Sequence, residues 1–253
     1  MHERLEQVLS FARWALSRLW ASTLLRLDVL LDLFLGLMLL FGAVNAYAPA
    51  QDLPWKPLRL SEPIGLATAY KLEQATSNPT RCLAFLEENG VAFRRLPYQA
   101  EQDYCVVANP VRLGDADLTL QTPNPLMSCP MAAAFVLWER QSVIPAARRI
   151  LGTEVVGLDH VGTYTCRRMR SEAAIAPSAH SRADAIDVAG FRLADGQSLS
   201  IEKSWKGEGP DSAFIHTVYG GACQVFHTTL SPQYNAAHAA HLHLDMGPDR
   251  FCR

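Results

Sequence analysis

The C-terminal part of the chain is rich in histidine. Seven of the eight histidines follow residue 159, and three of them, His238, His241 and His243, lie within six residues. Upstream, His180 precedes Asp187 by seven residues, across small side chains that lead into a predicted strand. Imidazole and carboxylate groups are common ligands of zinc in proteins. The pattern therefore predicts a metal site.

A catalytic zinc site combines three protein ligands with one position left open for water. Such a set is available from His180, Asp187 and one histidine of the 241/243 pair. In a strand the two side chains of that pair point to the same face, about 6 to 7 Å apart. One can then bind the metal while the other acts as a general base or stabilises an oxyanion. The alternative is that these residues are buried polar side chains without a metal.

Other polar residues near these motifs have simpler interpretations. Asp184 and Asp245 are expected to lie in turns or to orient a ligand rather than to bind the metal themselves. His160, His216 and His227 are expected to be ordinary core or surface histidines. These five residues are therefore left out of the predicted ligand set.

The motif SxHxxxxAxD at 178–187, followed by HxxHxH at 238–243, resembles the zinc D-Ala-D-Ala carboxypeptidases and the penicillin-insensitive murein endopeptidase. Those enzymes share the hedgehog/DD-peptidase fold. The longer stretch from Cys129 through YTCRR to HLHLDM resembles the extensin-like C-terminal domain family of exported bacterial proteins, over residues 65–253. The resemblance implies His180, Asp187 and His243 as zinc ligands, with His241 as the catalytic histidine and His238 as a second one beside it.

The resemblance also suggests where substrate binds, and it has two departures. Arg167 follows the predicted strand residue Tyr164, as a carboxylate-binding arginine does in the related carboxypeptidases, and Ser178 opens the first motif; both are expected to bind substrate. Ala183 stands where those peptidases usually have glycine, which matters if the turn needs a positive φ. Ala240 stands where some of them have a catalytic glutamate. Base chemistry would then depend on histidine.

An apolar stretch at 29–47 has about the length needed to cross a bilayer. Four arginines precede it and few basic residues follow, so the positive-inside bias predicts a cytoplasmic N-terminus and an exported C-terminal part. Asp32 is expected near the interface, one turn inside the span. A cleaved signal peptide is the alternative, because small residues at 46–50 resemble cleavage sites. We expect an uncleaved anchor in a bacterial inner membrane and a periplasmic domain.

All six cysteines follow the apolar stretch, as expected for disulfides in an oxidising compartment. Six cysteines allow fifteen pairings, which sequence alone does not separate. Pairing of neighbours along the chain is a guess, and gives 82 with 105, 129 with 166 and 223 with 252. The residues are Cys82, Cys105, Cys129, Cys166, Cys223 and Cys252.

The remaining pattern predicts an α+β fold, an antiparallel sheet with helices packed beside it. Helices are expected at 79–89, 130–141 and 211–219, and strands at 104–110, 118–121, 154–168, 185–193, 198–203, 224–230 and 241–246. The predicted organisation is a cytoplasmic segment at 1–28, the anchor at 29–47, a proline-rich extended tether at 48–63 and a folded domain at 64–253.

The amino-acid composition excludes several classes of function. The chain is 49% hydrophobic with a net charge of −2, unlike a disordered chain or a basic nucleic-acid-binding protein. The sequence thus favours a membrane-anchored periplasmic zinc peptidase that hydrolyses peptide bonds of peptidoglycan, with no nucleic-acid partner. One alternative is a non-catalytic, zinc-stabilised module that binds the cell wall or serves as a scaffold. A disulfide-built interaction domain without metal is the third.

Overall fold

A computed structural model describes residues 2–114, 117–168 and 177–253. The chain divides into two compact units, Met1–Pro49 and Ala50–Arg253. The first is formed by helix α1, His2–Tyr47. Its stretch Arg26–Tyr47 has 22 residues, a mean hydropathy of 2.2 and no buried residues. By length and composition this stretch could be a membrane anchor or a signal sequence.

The second unit mixes helices and strands, in agreement with the predicted α+β class. Its helices are α2 Thr68–Thr76, α3 Pro79–Glu88, α4 Cys129–Trp138, α5 Ile144–Ala146, α6 Ile201–Trp205 and α7 Pro210–Val225. Its strands are β1 Phe93–Arg95, β2 Gln99–Gln102, β3 Cys105–Val107, β4 Pro110–Leu113, β5 Thr119–Gln121, β6 Leu126–Ser128, β7 Val155–Gly162, β8 Ala185–Leu193, β9 Ser198–Ser200, β10 Thr228–Leu230, β11 Leu242–Asp245 and β12 Phe251–Cys252.

The main sheet has the strand order β12-β10-β11-β8-β7-β5, and β9 also pairs with β8. The central strands β7, β8, β10 and β11 pair antiparallel, as predicted, whereas β5 runs parallel to β7 and β12 parallel to β10. Strands β1, β4 and β6 form a smaller antiparallel sheet, and β2 and β3 form a hairpin. The sheet is therefore mixed at its edges.

Helix α4 is the centre of the hydrophobic core. Its side chains are buried on all sides except at Pro130, as expected for a helix that is apolar around its whole circumference. The Ser128 hydroxyl caps its first turn by accepting from the Met131 N–H, and Pro130 lies in that turn, where no N–H is needed. Trp138 donates its indole N–H to the Val218 carbonyl of α7 across the core. The helix predicted at 130–141 is therefore confirmed, one residue earlier at its start.

The segment predicted as an extended tether instead packs on the domain. Leu58 and Leu60 are buried in the main core. The Leu60 N–H donates to the Asn89 side chain, and the Gln141 side chain donates to the Leu60 carbonyl. Closely spaced prolines predict extended backbone, but the leucines between them bury apolar surface that a free tether would expose. The compact unit thus begins at Ala50 rather than near residue 64.

All six cysteines form disulfides, but not all with the guessed partners. The pairs are Cys82–Cys129, Cys105–Cys166 and Cys223–Cys252. Neighbour pairing is right for the last pair and wrong for the other two. Helix α3 packs against α4, and the β2–β3 hairpin is linked to the segment after β7. These two pairs are therefore set by contacts in the fold and not by the order of the cysteines in the sequence.

Several predicted strands have different limits in the structure. The strand predicted at 154–168 ends at Gly162, and the strand predicted at 198–203 ends at Ser200, where α6 begins. Helix α7 continues to Val225, well past the predicted 219, so the strand after it starts at Thr228 rather than 224. In each case residues with β-forming side chains are used in a loop or a helix, because tertiary packing outweighs a weak local preference.

Candidate metal centre

Three segments meet at one point of the main sheet. The 3-10 turn Ala179–Arg182 carries His180 and leads directly into β8, which carries Asp187. Strand β11 pairs antiparallel with β8 and places His243 opposite Asp187. The two motifs are separated by more than 50 residues in the sequence but become neighbours through this strand pair.

His180, Asp187 and His243 form a cluster whose ligand atoms all lie within 4.8 Å of one another. His180 Nε2 lies 3.3 Å from His243 Nδ1 and 3.3 Å from Asp187 Oδ2. His243 Nδ1 lies 2.8 Å from Asp187 Oδ1. Ligands at about 2.1 Å from a tetrahedral zinc ion lie about 3.4 Å from each other. Two nitrogens and one carboxylate at these separations therefore fit a zinc ion.

The turn that carries His180 depends on an unusual backbone conformation. Ala183 has φ +55° and ψ 28°, in the left-handed region. Its carbonyl accepts the Ser128 N–H, and its side chain is fully buried with Val107 and Leu126. The turn thus does require the positive φ that glycine adopts more readily, and buried packing of the alanine methyl group offsets part of the cost.

Hydrogen bonds on the side away from the cluster orient both candidate ligand histidines. The Nδ1–H of His180 donates to the Thr163 carbonyl at 3.3 Å, which leaves Nε2 directed at the cluster. The Nε2–H of His243 donates to Asp245 Oδ2 at 3.0 Å, which leaves Nδ1 for the cluster. Asp245 also accepts the Gly247 N–H at 2.7 Å, so its carboxylate is fixed in turn. Such outer hydrogen bonds set the tautomer and position of metal-binding imidazoles.

The charges of the cluster follow from these contacts. Burial by itself raises the pKa of Asp187, but hydrogen bonds and charge interactions with His180 and His243 outweigh it and lower the pKa well below the usual range. Burial lowers the pKa of His243, but hydrogen bonds to Asp187 and Asp245 raise it to about 9. A divalent cation would replace the proton that His243 shares with Asp187, because a metal-bound imidazole must be neutral.

His241 and His238 lie beside this cluster. His241 immediately precedes β11, and its Nε2 lies 3.5 Å from Asp187 Oδ1. His238 Nδ1 donates to Asn235 Oδ1 at 2.7 Å, and its ring lies 5.3 Å from that of His241 and 5.7 Å from that of His243. Burial lowers the pKa of both residues, that of His238 to about 4, and the neighbouring histidines add to the effect. Both rings are therefore held neutral, in a form that can accept a proton.

The two predicted substrate-binding residues are adjacent through their backbones. The Ser178 N–H donates to the Arg167 carbonyl at 3.3 Å, and Arg167 is half-buried. Ser178 is buried, and its carbonyl accepts from both the N–H and the hydroxyl of Ser181. Ser178 thus shapes the turn that carries His180, while binding of substrate by either residue stays a prediction.

Two groups that contribute to the site were not predicted from the sequence. The first is the Thr163 carbonyl, which gives no signal in the sequence because any residue has one. The second is Asn235, which holds His238 and also accepts the Ala237 N–H. An Asn three residues before a histidine, at the start of a short turn, could have suggested such a cap. Asp245 orients the His243 ring, while the role of His243 as a metal ligand stays a prediction.

The three other histidines of the C-terminal part lie outside the cluster. His160 Nε2 bonds the Thr122 carbonyl, His216 Nε2 the Trp205 carbonyl and His227 Nδ1 the Gly247 carbonyl. Each ring therefore has a partner of its own elsewhere in the fold.

Comparison with known proteins bears on the family only. No curated protein and no solved structure matches the chain. The family model described as extensin-like protein C-terminus matches residues 80–253, which include both histidine motifs and all six cysteines. Since this match covers more than half of the sequence, the chain belongs to the extensin-like protein C-terminus family.

Proposed function

We propose that this protein is a zinc-dependent peptidase that hydrolyses peptide bonds of peptidoglycan outside the cytoplasm. The observation that carries the proposal is the cluster of His180, Asp187 and His243, with ligand atoms within 4.8 Å of one another and a further neutral histidine beside it. This is the donor set of a catalytic zinc site, in which three protein ligands leave one position open.

The residues of the site have distinct tasks in this proposal. His180 Nε2, His243 Nδ1 and Asp187 would hold the ion. When bound, zinc supplies Lewis-acid chemistry, polarising a carbonyl and lowering the pKa of water. His241, whose pKa burial lowers, is neutral and can accept a proton during attack on the amide and return it to the leaving amine. His238 adds a second neutral imidazole at the rim.

Peptidoglycan is proposed as the substrate because the motifs at 178–187 and 238–243 resemble those of zinc D-Ala-D-Ala carboxypeptidases and the murein endopeptidase. The hedgehog/DD-peptidase fold belongs to the same proposal. Arg167 and Ser178 are the candidates for contact with the substrate, Arg167 through its guanidinium and a carboxylate. The absence of a glutamate at Ala240 makes histidine the base.

The proposed location is the periplasmic face of a bacterial inner membrane, with the N-terminus in the cytoplasm. Two observations support it: an apolar helix segment at Arg26–Tyr47 that is long enough to span a bilayer, and three disulfides that need an oxidising compartment. Peptidoglycan and the membrane are the proposed partners.

A digest of purified peptidoglycan tests the function. The full chain, reconstituted in phospholipid nanodiscs and loaded with zinc, should release new muropeptides that chromatography resolves. The variants His180→Ala and His241→Ala should release none, whereas His160→Gln, a change away from the cluster, should act as the unchanged protein does. Retention on peptidoglycan with no new products would instead identify the non-catalytic wall-binding module.

A further inference from the structure

A cavity of about 500 Å³ lies near His238, whose ring is 5.4 Å from that of the lining residue Tyr234. Helices α6 and α7, the loop after β10 and Arg253 line it. Its lining combines aromatic rings with hydrogen-bonding groups and one cation: Trp205, His216, Tyr219, Ser231, Gln233, Tyr234 and Arg253. A cavity with aromatic walls and a few polar groups is the usual form of a small-ligand site.

The cavity is fixed by cross-links rather than formed by a loose loop. The Cys223–Cys252 disulfide ties α7 to β12. Arg253 is held through its backbone, since its N–H donates to the Thr229 carbonyl and its carbonyl accepts the Ser231 N–H. Trp205 packs edge-on against Tyr219 at 5.1 Å between ring centroids. The backbone at Arg253 and the packed ring of Trp205 are therefore fixed before a ligand binds, which lowers the entropy lost on binding.

Tyr234 connects this cavity to the metal centre. Its ring lies 5.4 Å from that of His238, which in turn lies 5.7 Å from that of the zinc ligand His243. Together these two steps span no more than about three residues of an extended peptide, at about 3.3 Å per residue. A substrate with its scissile bond at the metal would place in the cavity a group no more than about three residues away.

The lining selects the chemistry of that group. Tyr234 is 42% exposed and His216 is also exposed, so both rings are accessible to a ligand in the cavity. The faces of aromatic rings are electron-rich and attract polarised C–H groups such as those of a pyranose. The Gln233 amide and the Arg253 guanidinium are exposed donors for hydroxyl and acetamido oxygens. Among the described residues that line the cavity there is no Asp or Glu side chain.

We propose that this cavity binds an N-acetylated pyranose of the peptidoglycan glycan strand, while the stem peptide extends toward the metal centre. The inference rests on the proposed function, because peptidoglycan is the substrate that carries sugar and peptide on one backbone. It assigns the specificity for the wall to a site outside the zinc cluster.

Saturation-transfer NMR with tri-N-acetylchitotriose tests the assignment. The probe is added to the full chain in phospholipid nanodiscs, since a maltoside detergent would itself present sugar rings. We expect transfer to the acetamido and ring protons of the probe, none to maltotriose, and at least a tenfold weaker affinity in Tyr234→Ala. Trp205→Phe keeps an aromatic ring that packs in the core. The affinity of this variant for the probe should be no lower than that of Tyr234→Ala. Tyr98→Ala, a change at a tyrosine 66% exposed elsewhere on the surface, should leave affinity unchanged.

Three results would overturn the inference: no transfer to the chitotriose, equal transfer to maltotriose, or transfer that Tyr234→Ala does not alter. Binding of a sugar-free stem peptide that Tyr234→Ala abolishes, without sugar binding, would make the cavity a peptide subsite and overturn it as well. The proposed function fails separately. Sugar binding without peptide hydrolysis would support the sugar site and contradict the peptidase activity. Peptide hydrolysis without sugar binding would support the peptidase activity and contradict the sugar site.

Discussion

Two carboxylates in this domain, Glu139 in the core and the partly buried Asp187, have opposite charge states. Asp187, in the candidate metal centre, faces His180, His241 and His243, and its pKa lies well below the usual range. Glu139, at the end of α4 in the core, accepts one backbone N–H from Leu118 at 2.7 Å, and burial raises its pKa to about 8.

Burial acts in the same direction on both groups, since it favours the neutral acid. The difference in pKa therefore comes from the partners, which are several imidazoles for Asp187 and one backbone amide for Glu139. Among the described residues the second oxygen of Glu139 has no partner at all. A buried carboxylate that keeps its charge is suited to hold a cation, while one that keeps its proton is a polar group within the core.

The largest expected effect comes from neutralising Asp187 without changing its size. Asp187→Asn should lower zinc affinity by more than about 100-fold, because loss of an outer hydrogen bond alone costs about 10- to 100-fold. Competition with a chromophoric chelator measures the affinity. Glu139→Gln is the matched control and should bind zinc as the unchanged protein does. Equal zinc affinity in Asp187→Asn would show that the carboxylate is not a ligand.

Glu139→Gln should instead change stability and its dependence on pH. Because the folded pKa is about 8 and the reference value 4.5, the folded state binds more protons between these values. The free energy of unfolding then falls as pH rises from 4.5 to 8 and levels off above it. Glutamine does not ionise, so the variant avoids this loss. The free energy of unfolding of Glu139→Gln, relative to that of the unchanged protein, should be higher at pH 8 than at pH 5 by on the order of 2 to 4 kcal/mol.

Thermal unfolding of both proteins at pH 5 and pH 8 measures this difference. Asp187→Asn is expected to show no such gain in stability at pH 8, because the charge of Asp187 is compensated by the histidines around it. If the midpoints of the unchanged protein and Glu139→Gln differ equally at the two pH values, Glu139 does not titrate in this range.

A smaller effect is expected from the group behind His243. Asp245→Asn keeps an acceptor for the Gly247 N–H but turns an amide toward the imidazole, so zinc affinity should fall about 10- to 100-fold. Asp184→Asn is the control: Asp184 is about as buried but bonds Arg182 instead, and zinc affinity should stay within about twofold. Equal losses in the two variants would point to a general weakening of the fold.

The smallest effect is expected at Ala183. Glycine at this position relieves the left-handed conformation, worth about 1 to 2 kcal/mol, but removes a buried methyl group, worth about 0.8 kcal/mol, and adds backbone freedom to the unfolded chain. Ala183→Gly should therefore change the free energy of unfolding by less than about 1 kcal/mol and leave zinc affinity unchanged. Chemical denaturation measures the first quantity, and a loss above 2 kcal/mol would contradict this balance.

Local signals in the sequence predict several elements well. Strand β8 has the predicted limits, because alternation of side chains and a following Ala-Asp-Gly turn mark both its face and its end. Helix α3 is confirmed for a similar reason, with apolar residues at helical spacing and Gly90 just beyond its end. The strand at 242–245 is one residue shorter at each end than predicted. Each of these signals involves residues close together in the chain.

Contacts between residues far apart in the sequence could not be predicted in the same way. The predicted tether packs because Leu58 and Leu60 find a surface formed by residues far along the chain. The pairing of Cys82 with Cys129 follows from the packing of α3 on α4, which no spacing of cysteines expresses. Glu139 is predicted inside a helix, but its burial depends on the segment around Leu118.

The types and spacing of the histidines and of Asp187 were enough to select the candidate ligands, because metal chemistry restricts the donors to few side chains. Which nitrogen of each histidine faces the cluster, and which groups hold it there, were decided by tertiary structure. The antiparallel pairing of β8 with β11 sets Asp187 opposite His243, and the Thr163 carbonyl and the Asp245 carboxylate fix the two rings. Side-chain chemistry is local to a residue, whereas orientation needs a partner that folding brings from elsewhere in the chain.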